Sequence, residues 1–206
     1  MPFISIEGID GSGKTEQTRI LTDRLVAVGK QVVRTKEPDG GHLGSEVRSM
    51  MVVPNRILTP VEQMLLVNAS RYGHVRTVIR PALAAGAWVI SDRFIDSTFA
   101  FQVHGQEDGL GKMFEAIRDV VVEGTMPDLT IVLDLPADAA LERRSKRQGD
   151  IDDPAEVSRN FGEIRRGLLV AAARAPSRCK VIDANASLVD VADRVWQAVA
   201  TAFRLE

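Results

Sequence analysis

The stretch FISIEGIDGSGKT, residues Phe3 to Thr15, decides how the rest of the chain is read. Its opening, Phe3-Ile4-Ser5-Ile6, is a short apolar run of the kind that forms a buried β-strand. The chain then turns through Gly8-Ile9-Asp10-Gly11-Ser12-Gly13 into Lys14-Thr15. Thr18, Leu21, Leu25 and Val28 follow at helical spacing on one face. The pattern Gly-x-x-x-x-Gly-Lys-Thr therefore lies between a strand and a helix, the context that makes it specific. Its glycines let the backbone curl until successive N–H groups, those of Gly8 to Thr15, face one concavity suited to phosphate oxygens. A helix starting near Gly13 adds its positive dipole end. Lys14 offers an ammonium to the β- and γ-phosphates of a nucleoside triphosphate, and the Thr15 hydroxyl is a ligand for Mg²⁺.

Composition limits the classes open to the chain. At 206 residues it is long enough for a substantial core and predicts one domain with a small mobile insert. With 45% hydrophobic and 26% charged residues it reads as a soluble globular protein. A formal net charge of −2 argues against a broad basic surface for duplex nucleic acid. The single cysteine, Cys179, excludes an internal disulfide and fits a reducing compartment, and its place in Arg-Cys-Lys-Val-Ile predicts a packed thiol. The chain enters its first strand at once, which predicts no signal peptide, and no apolar run reaches membrane-spanning length. A cytoplasmic protein is expected.

Beyond the first helix, 31–35 reads as a second strand, and Glu37-Pro38-Asp39-Gly40-Gly41 breaks regular structure. A helix is predicted over 43–52, then a loop to Pro60. A longer helix follows from about 59 to 85, with Thr59 as N-cap, Pro60 in its first turn and Pro81 marking a kink or restart. The chain then gives a strand at 87–90, helices at 95–103 and 112–123, and a continuous β-branched strand at 129–134. A helix at 137–146 precedes the polar, glycine-containing stretch 147–154, a candidate flap. A helix at 155–174, a strand at 179–182 and a helix at 188–203 complete the chain. Strands alternating with helices predict an α/β fold, a five-stranded parallel sheet covered on both faces.

In such a sheet ligands sit at the carboxyl ends of the strands. The predicted ends carry the glycine-rich loop, Glu37 to Gly41 with Arg48 beyond, Asp92-Arg93, Asp134 before Arg143, Arg144, Lys146 and Arg147, and Asp183-Ala184-Asn185. Several arginines beside a phosphate loop imply more anionic charge than one triphosphate carries. Two phosphate-bearing ligands, and phosphoryl transfer between nucleotides, explain the set best. A GTPase would usually show Asn-Lys-x-Asp, which is absent. A motor or transport ATPase would usually need a larger chain. A sulfotransferase or shikimate-type kinase would not predict the later motifs.

With these residues in view, the chain resembles the thymidylate kinases, P-loop enzymes that phosphorylate dTMP with ATP, over essentially its whole length. The resemblance implies a P-loop NTPase fold, ATP with Mg²⁺, and a homodimer formed through helices. It implies that Asp10 faces the sugar 3′-hydroxyl of the acceptor. Glu37-Pro38-x-Gly40 followed by Leu43-Gly44 and Arg48 is similar to the family's Glu-Pro-Gly-Gly segment, which places Pro38 at the acceptor and makes Arg48 a ligand of its phosphate. Leu65-Leu66 through Arg71 and His74 resembles the helix whose arginine, here Arg71, contacts the base. Asp92-Arg93, followed by Ser97 and Ala100-Phe101-Gln102, looks like the family's Asp-Arg motif. Arg93 would bind the acceptor phosphate, and Asp92 would organise Mg²⁺ or its water.

Thymidylate kinases keep a catalytic arginine either in the phosphate loop or in the lid. Here Gly11 fills the loop position and the stretch 143–154 is rich in arginine, so the chain resembles the lid-arginine type. Arg143, Arg144 or Arg147 would then neutralise the transferring phosphoryl group, although a run of charge also suits a solvated helix face. The chain departs from the family at Asp39 and Gly41, at Val67 where a phenylalanine stacks on thymine, at Ser70, at Asp153 and at Leu168. Phe101 and Tyr72 are the nearest aromatics to replace the stacking ring. A kinase acting on another deoxynucleoside monophosphate, or a nucleotide-binding homologue with weak activity, is the alternative that these departures leave.

Overall fold

A computed structural model describes residues 1–53, 56–106, 109–146 and 160–205. The predicted flap from 147 onward, with Arg147 and Asp153, and the first turn of the helix predicted from 155 lie outside those residues. Five strands, β1 (Phe3–Gly8), β2 (Val32–Lys36), β3 (Trp88–Asp92), β4 (Leu129–Asp134) and β5 (Cys179–Asp183), form one sheet in the order β2-β3-β1-β4-β5. Every pairing is parallel, with Phe3 opposite Val89 and Ser5 opposite both Ser91 and Thr130. β1 lies in the centre, flanked by the later strands β3 and β4, so the chain switches direction across the sheet beside the Gly8 end of β1. That crevice is where an open α/β sheet receives its ligand.

β1 is buried along its whole length, and its two faces have different chemistry. Ile4 and Ile6 join the core with Leu21 and Leu25 of α1 (Lys14–Ala27). Phe3 joins a second cluster with Met64 and Phe94 and meets the Phe94 ring edge-on at 4.9 Å. On that same side, two and four residues along, stand Ser5 and Glu7, both fully buried. Burial of this kind stabilises the sheet by roughly 1.5–3 kcal/mol for each large apolar side chain. Leu168, at the position noted for its departure from the family pattern, is packed in the first cluster.

The long helix expected from 59 to 85 is interrupted. α3 (Pro60–His74) starts with a full capping box, Thr59 accepting from the Glu62 N–H while Glu62 accepts from the Thr59 N–H. A π turn occupies Val75–Ile79, closed by the Arg80 N–H on the Val75 carbonyl, before α4 (Arg80–Ala84). Pro81 has no N–H to donate one turn back, and the wider turn ends two residues before it, at Ile79. α5 (Ile95–Thr98) likewise passes into a π turn at Phe99–Val103, which the His104 N–H closes on Phe99 O. The remaining described helices are α2 (Gly44–Met51), α6 (Gly109–Val122), α7 (Ala137–Ser145), α8 (Phe161–Arg174) and α9 (Leu188–Phe203). α8 packs so closely on the second π turn that a Cβ at Gly167 would lie 2.8 Å from Ala100 Cα.

Burial raises the Cys179 thiol to about 11, which keeps it protonated and packed as its sequence context predicted. Among the described residues no helix is long and apolar enough to cross a membrane.

Candidate active site

Gly13 caps α1 in a left-handed conformation, with φ 90°, so the loop delivers its amides to the start of that helix. Gly11 is also left-handed, and a Cβ there would meet Ala140 O of α7 at 2.8 Å. The loop backbone runs against a helix at this point, which leaves no room for a side chain at position 11. Behind the loop, Lys14 Nζ donates to Ile9 O at 3.1 Å and stands 3.7 Å from Asp10 Oδ1. Burial pulls the Lys14 ammonium down to about 8 and the Arg93 charge adds to this, while Asp10, Asp92 and Glu7 oppose it. An arriving polyanion would raise it again.

Thr15 Oγ1 donates to Asp92 Oδ2 at 2.9 Å, and both face solvent. A hydroxyl and a carboxylate oxygen beside a phosphate-shaped loop are the hard donors that Mg²⁺ takes. The loop and this pair therefore fit a magnesium-bound triphosphate.

Next to the loop lies a cleft. Every acceptor residue expected from the sequence lines it: Asp10, Pro38, Arg48, Val67, Arg71, Arg93, Ser97, Phe101 and Gln102. The cleft thus draws on the loop after β1, the β2–α2 connection, α2, α3 and the segment after β3. Gln102 donates to Gln63 at 3.2 Å. Arg48, on α2, stands on the exposed side. Arg93 is the inner cation, with φ 72° and a guanidinium that binds Gly8 O at 3.0 Å, Ser97 Oγ at 3.1 Å and Asp10 Oδ1 at 2.5 Å. It lies 4.9 Å from the centre of the Phe101 ring. Of the two aromatics considered as base stackers, Phe101 lines the cleft, whereas Tyr72 carries the Arg76 guanidinium at 5.0 Å.

Arg71 does more than face the cleft. It is buried, donating to Glu37 at 2.7 Å, to Asn68 Oδ1 at 3.0 Å and to Phe94 O at 3.0 Å. Glu37 also meets His74 Nδ1 at 3.0 Å, and the other ring nitrogen of His74 meets Thr35 Oγ1 at 2.7 Å. The Glu37–Pro38 peptide is cis, and Ser70 donates to Pro38 O at 2.7 Å. This knot ties α3 to the proline turn.

Two features were not expected from the sequence. Glu37 holds Arg71 and His74 at once, and Glu7, an acid in an apolar strand, accepts from the Phe94 N–H at 2.7 Å and from Ser97 Oγ at 2.5 Å. Burial raises the Glu7 carboxyl to about 7, with the Asp96 charge adding and Ser97 and Arg93 subtracting. The only sequence signal was an ionisable residue inside a buried run. Arg143 lies elsewhere: its guanidinium donates to Ala184 O at 3.0 Å and Ala186 O at 3.4 Å in the loop after β5.

The family model described as thymidylate kinase matches residues 6–195. The chain is 43% identical over 188 residues to the thymidylate kinase of Caulobacter vibrioides, covering 90% of this chain and 89% of that one. It is 38% identical over 213 residues to that of Syntrophotalea carbinolica, covering 98% and 97% respectively. The crystal structure of the Ehrlichia chaffeensis thymidylate kinase superposes with a TM-score of 0.74 at 30% identity, covering 96% of this chain and 98% of that one. A phosphate loop sharing a wall with an arginine-lined cleft, on a scaffold that these relatives match over 90–98% of the chain, leads to one assignment: the chain belongs to the thymidylate kinase family.

Proposed function

We propose that this chain transfers the γ-phosphoryl group of ATP to dTMP, giving ADP and dTDP. The observation that carries the proposal is the position of Asp10, which belongs to the phosphate loop, lines the cleft and is bridged to it by Arg93. Two anion sites with a common wall suit two mutually repelling polyanions meeting end to end.

In this reading the amides of Gly8 to Thr15 and the Lys14 ammonium bind the donor phosphates. Thr15 and Asp92 would hold Mg²⁺, which would supply charge neutralisation at the donor phosphates. Arg48 and Arg93 grip the acceptor phosphate and point it at the donor. Asp10 takes the sugar 3′-hydroxyl, while Pro38, Val67, Arg71, Ser97, Phe101 and Gln102 enclose the nucleoside. The attacking phosphate oxygen is already anionic, so alignment and charge neutralisation carry the rate without a strong base. Two arginines for one acceptor phosphate favour a nucleotide over a neutral nucleoside. Arg143 and Arg147 are the lid residues assigned to the transferring group, with the lid at about 143–154 of a single domain. The carbonyl contacts of Arg143 suit a second duty, anchoring the loop after β5.

The enzyme is proposed to act in the cytoplasm as a homodimer. The exposed apolar residues Val61 and Leu65 on α3 support that pairing. The apolar face of 94–103 does not, because Phe94, Ile95, Phe99 and Val103 are spent in the core. Sedimentation of the purified protein tests the pairing.

Coupled ADP release tests the activity itself, with dTMP, dUMP, dCMP, dGMP and dAMP offered in turn and Mg²⁺ present or chelated. Magnesium-dependent turnover strongest with dTMP is expected. Turnover with another monophosphate in its place, or with none, refutes the proposal.

A further inference from the structure

Glu7 is a buried acid to which the proposed chemistry gives no task. A carboxylate is a costly filler for a strand interior, and a residue kept only for packing would be better apolar. Its partners are specific. The Glu7 carboxylate accepts from the Phe94 N–H at 2.7 Å and from the Ser97 hydroxyl at 2.5 Å. Ser97 Oγ in turn accepts from the Arg93 guanidinium at 3.1 Å. The Arg93 N–H donates to Ile6 O at 3.0 Å, so β1 holds the peptide on each side of Arg93, one through its backbone and one through the Glu7 side chain. Arg93 needs such a grip, since φ 72° is a conformation that a residue with a side chain keeps only when its surroundings impose it.

We propose that Glu7 is a positioning residue for phosphoryl transfer, fixing the Arg93–Phe94 backbone and, through the Ser97 hydroxyl, aiming the Arg93 guanidinium into the acceptor cleft. The proposal rests on the reading of Arg93 as a ligand of the acceptor phosphate. Hydrogen-bond polarity gives it a sharp form. Ser97 has one proton; Glu7 takes it and leaves the oxygen lone pairs for Arg93. In Glu7→Gln the carboxamide sets donor against donor in either orientation. With its oxygen on the Phe94 N–H, its NH₂ faces Ser97 and turns the hydroxyl proton towards Arg93. Flipped, the NH₂ faces the Phe94 N–H. The neighbouring Asp96 does not share this task, because Arg178 already holds it through bonds of 2.7 and 2.8 Å.

The test is a double-mutant cycle read by steady-state kinetics with dTMP or ATP varied, on Glu7→Gln, Arg93→Ala and the pair. Glu7→Gln alone should lower kcat/KM for dTMP about 10- to 100-fold, since a displacement near 1 Å suffices for that, and leave the KM for ATP within about twofold. In the Arg93→Ala background the same substitution should cost less than about twofold. Unchanged dTMP kinetics in Glu7→Gln overturn the proposal, as does an equal loss with and without Arg93, the mark of a purely structural acid. Wild-type acceptor kinetics in Arg93→Ala alone refute the reading of Arg93, a separate result that removes the proposal with it. Should Glu7→Gln fail to fold, Ser97→Ala cuts the same link and leaves the buried acid in place. Its dTMP-specific loss should vanish in the Arg93→Ala background, and a loss that persists there overturns the relay.

Discussion

Arg93 reaches across 83 residues of sequence to donate to Asp10 at 2.5 Å, so the inner cation of the cleft is held by an acid of the phosphate loop. The guanidinium is thereby oriented before any nucleotide arrives, with Gly8 O, Ser97 and the Phe101 ring on its other sides. In the proposed binding mode an acceptor phosphate would meet a preset donor fork and spend little on ordering it. Arg93→Ala should lower kcat/KM for dTMP about 100- to 1000-fold, with kcat reduced and the acceptor KM raised. Arg93→Lys should recover little of this, because one ammonium cannot serve the carbonyl, hydroxyl, carboxylate and ring together. Steady-state kinetics with dTMP varied check both variants.

Lys14→Met separates chemistry from folding. Lys14 makes one carbonyl hydrogen bond and one 3.7 Å ion contact, so removing its charge disturbs few native contacts. Turnover should fall by about 1000-fold, while the melting temperature moves by less than about 4 °C. Near-normal turnover would contradict the phosphate-loop assignment.

Arg71 should matter for stability as well as for the acceptor. It and Glu37 are both buried and face each other at 2.6 Å. Arg71→Ala leaves the Glu37 carboxylate in the interior with a lost cation, which costs about 3–5 kcal/mol. Urea unfolding monitored by circular dichroism measures this. A loss below about 1 kcal/mol would show that the knot around the proline turn relaxes freely.

Glu7 also gives a pH dependence to stability. Its folded pKa is raised by burial from the ordinary carboxylate value of 4.5 to about 7. Between those values the folded chain keeps a proton that the unfolded chain has released, so this group's contribution to stability falls as pH rises through the window. Of the charges around Glu7, Asp96 strengthens the effect and Arg93 weakens it, and the cations of Lys14 and Arg178, which also feel the Glu7 charge, act in the same direction as Arg93. Thermal unfolding at steps from about pH 4.5 to 7 should show a downward component that Glu7→Gln abolishes. An identical pH profile in the variant would contradict it.

The architecture was legible because it is written in local signals. The loop from Gly8 to Thr15, the β-branched run at 129–134 and the Thr59-Pro60 helix start each carry their own cause. The π turns were not legible, since Val75–Ile79 depends on which carbonyl each N–H selects as well as on Pro81. The acceptor residues were gathered by motif resemblance, and the cleft brings together all of those named. What the motifs did not show is the pairing behind them. Glu7 meets Ser97 across 90 residues and Glu37 meets Arg71 across 34, and no local pattern marks an acid as the anchor of a distant side chain.

The most direct test follows the phosphorus atom. Wild-type enzyme and Arg93→Ala are incubated with γ-labelled ATP, Mg²⁺ and dTMP, and the products are separated. The account predicts label in dTDP with the wild type and a large loss of it in the variant. Label recovered only as inorganic phosphate, or dTDP formed equally well without Arg93, would contradict it.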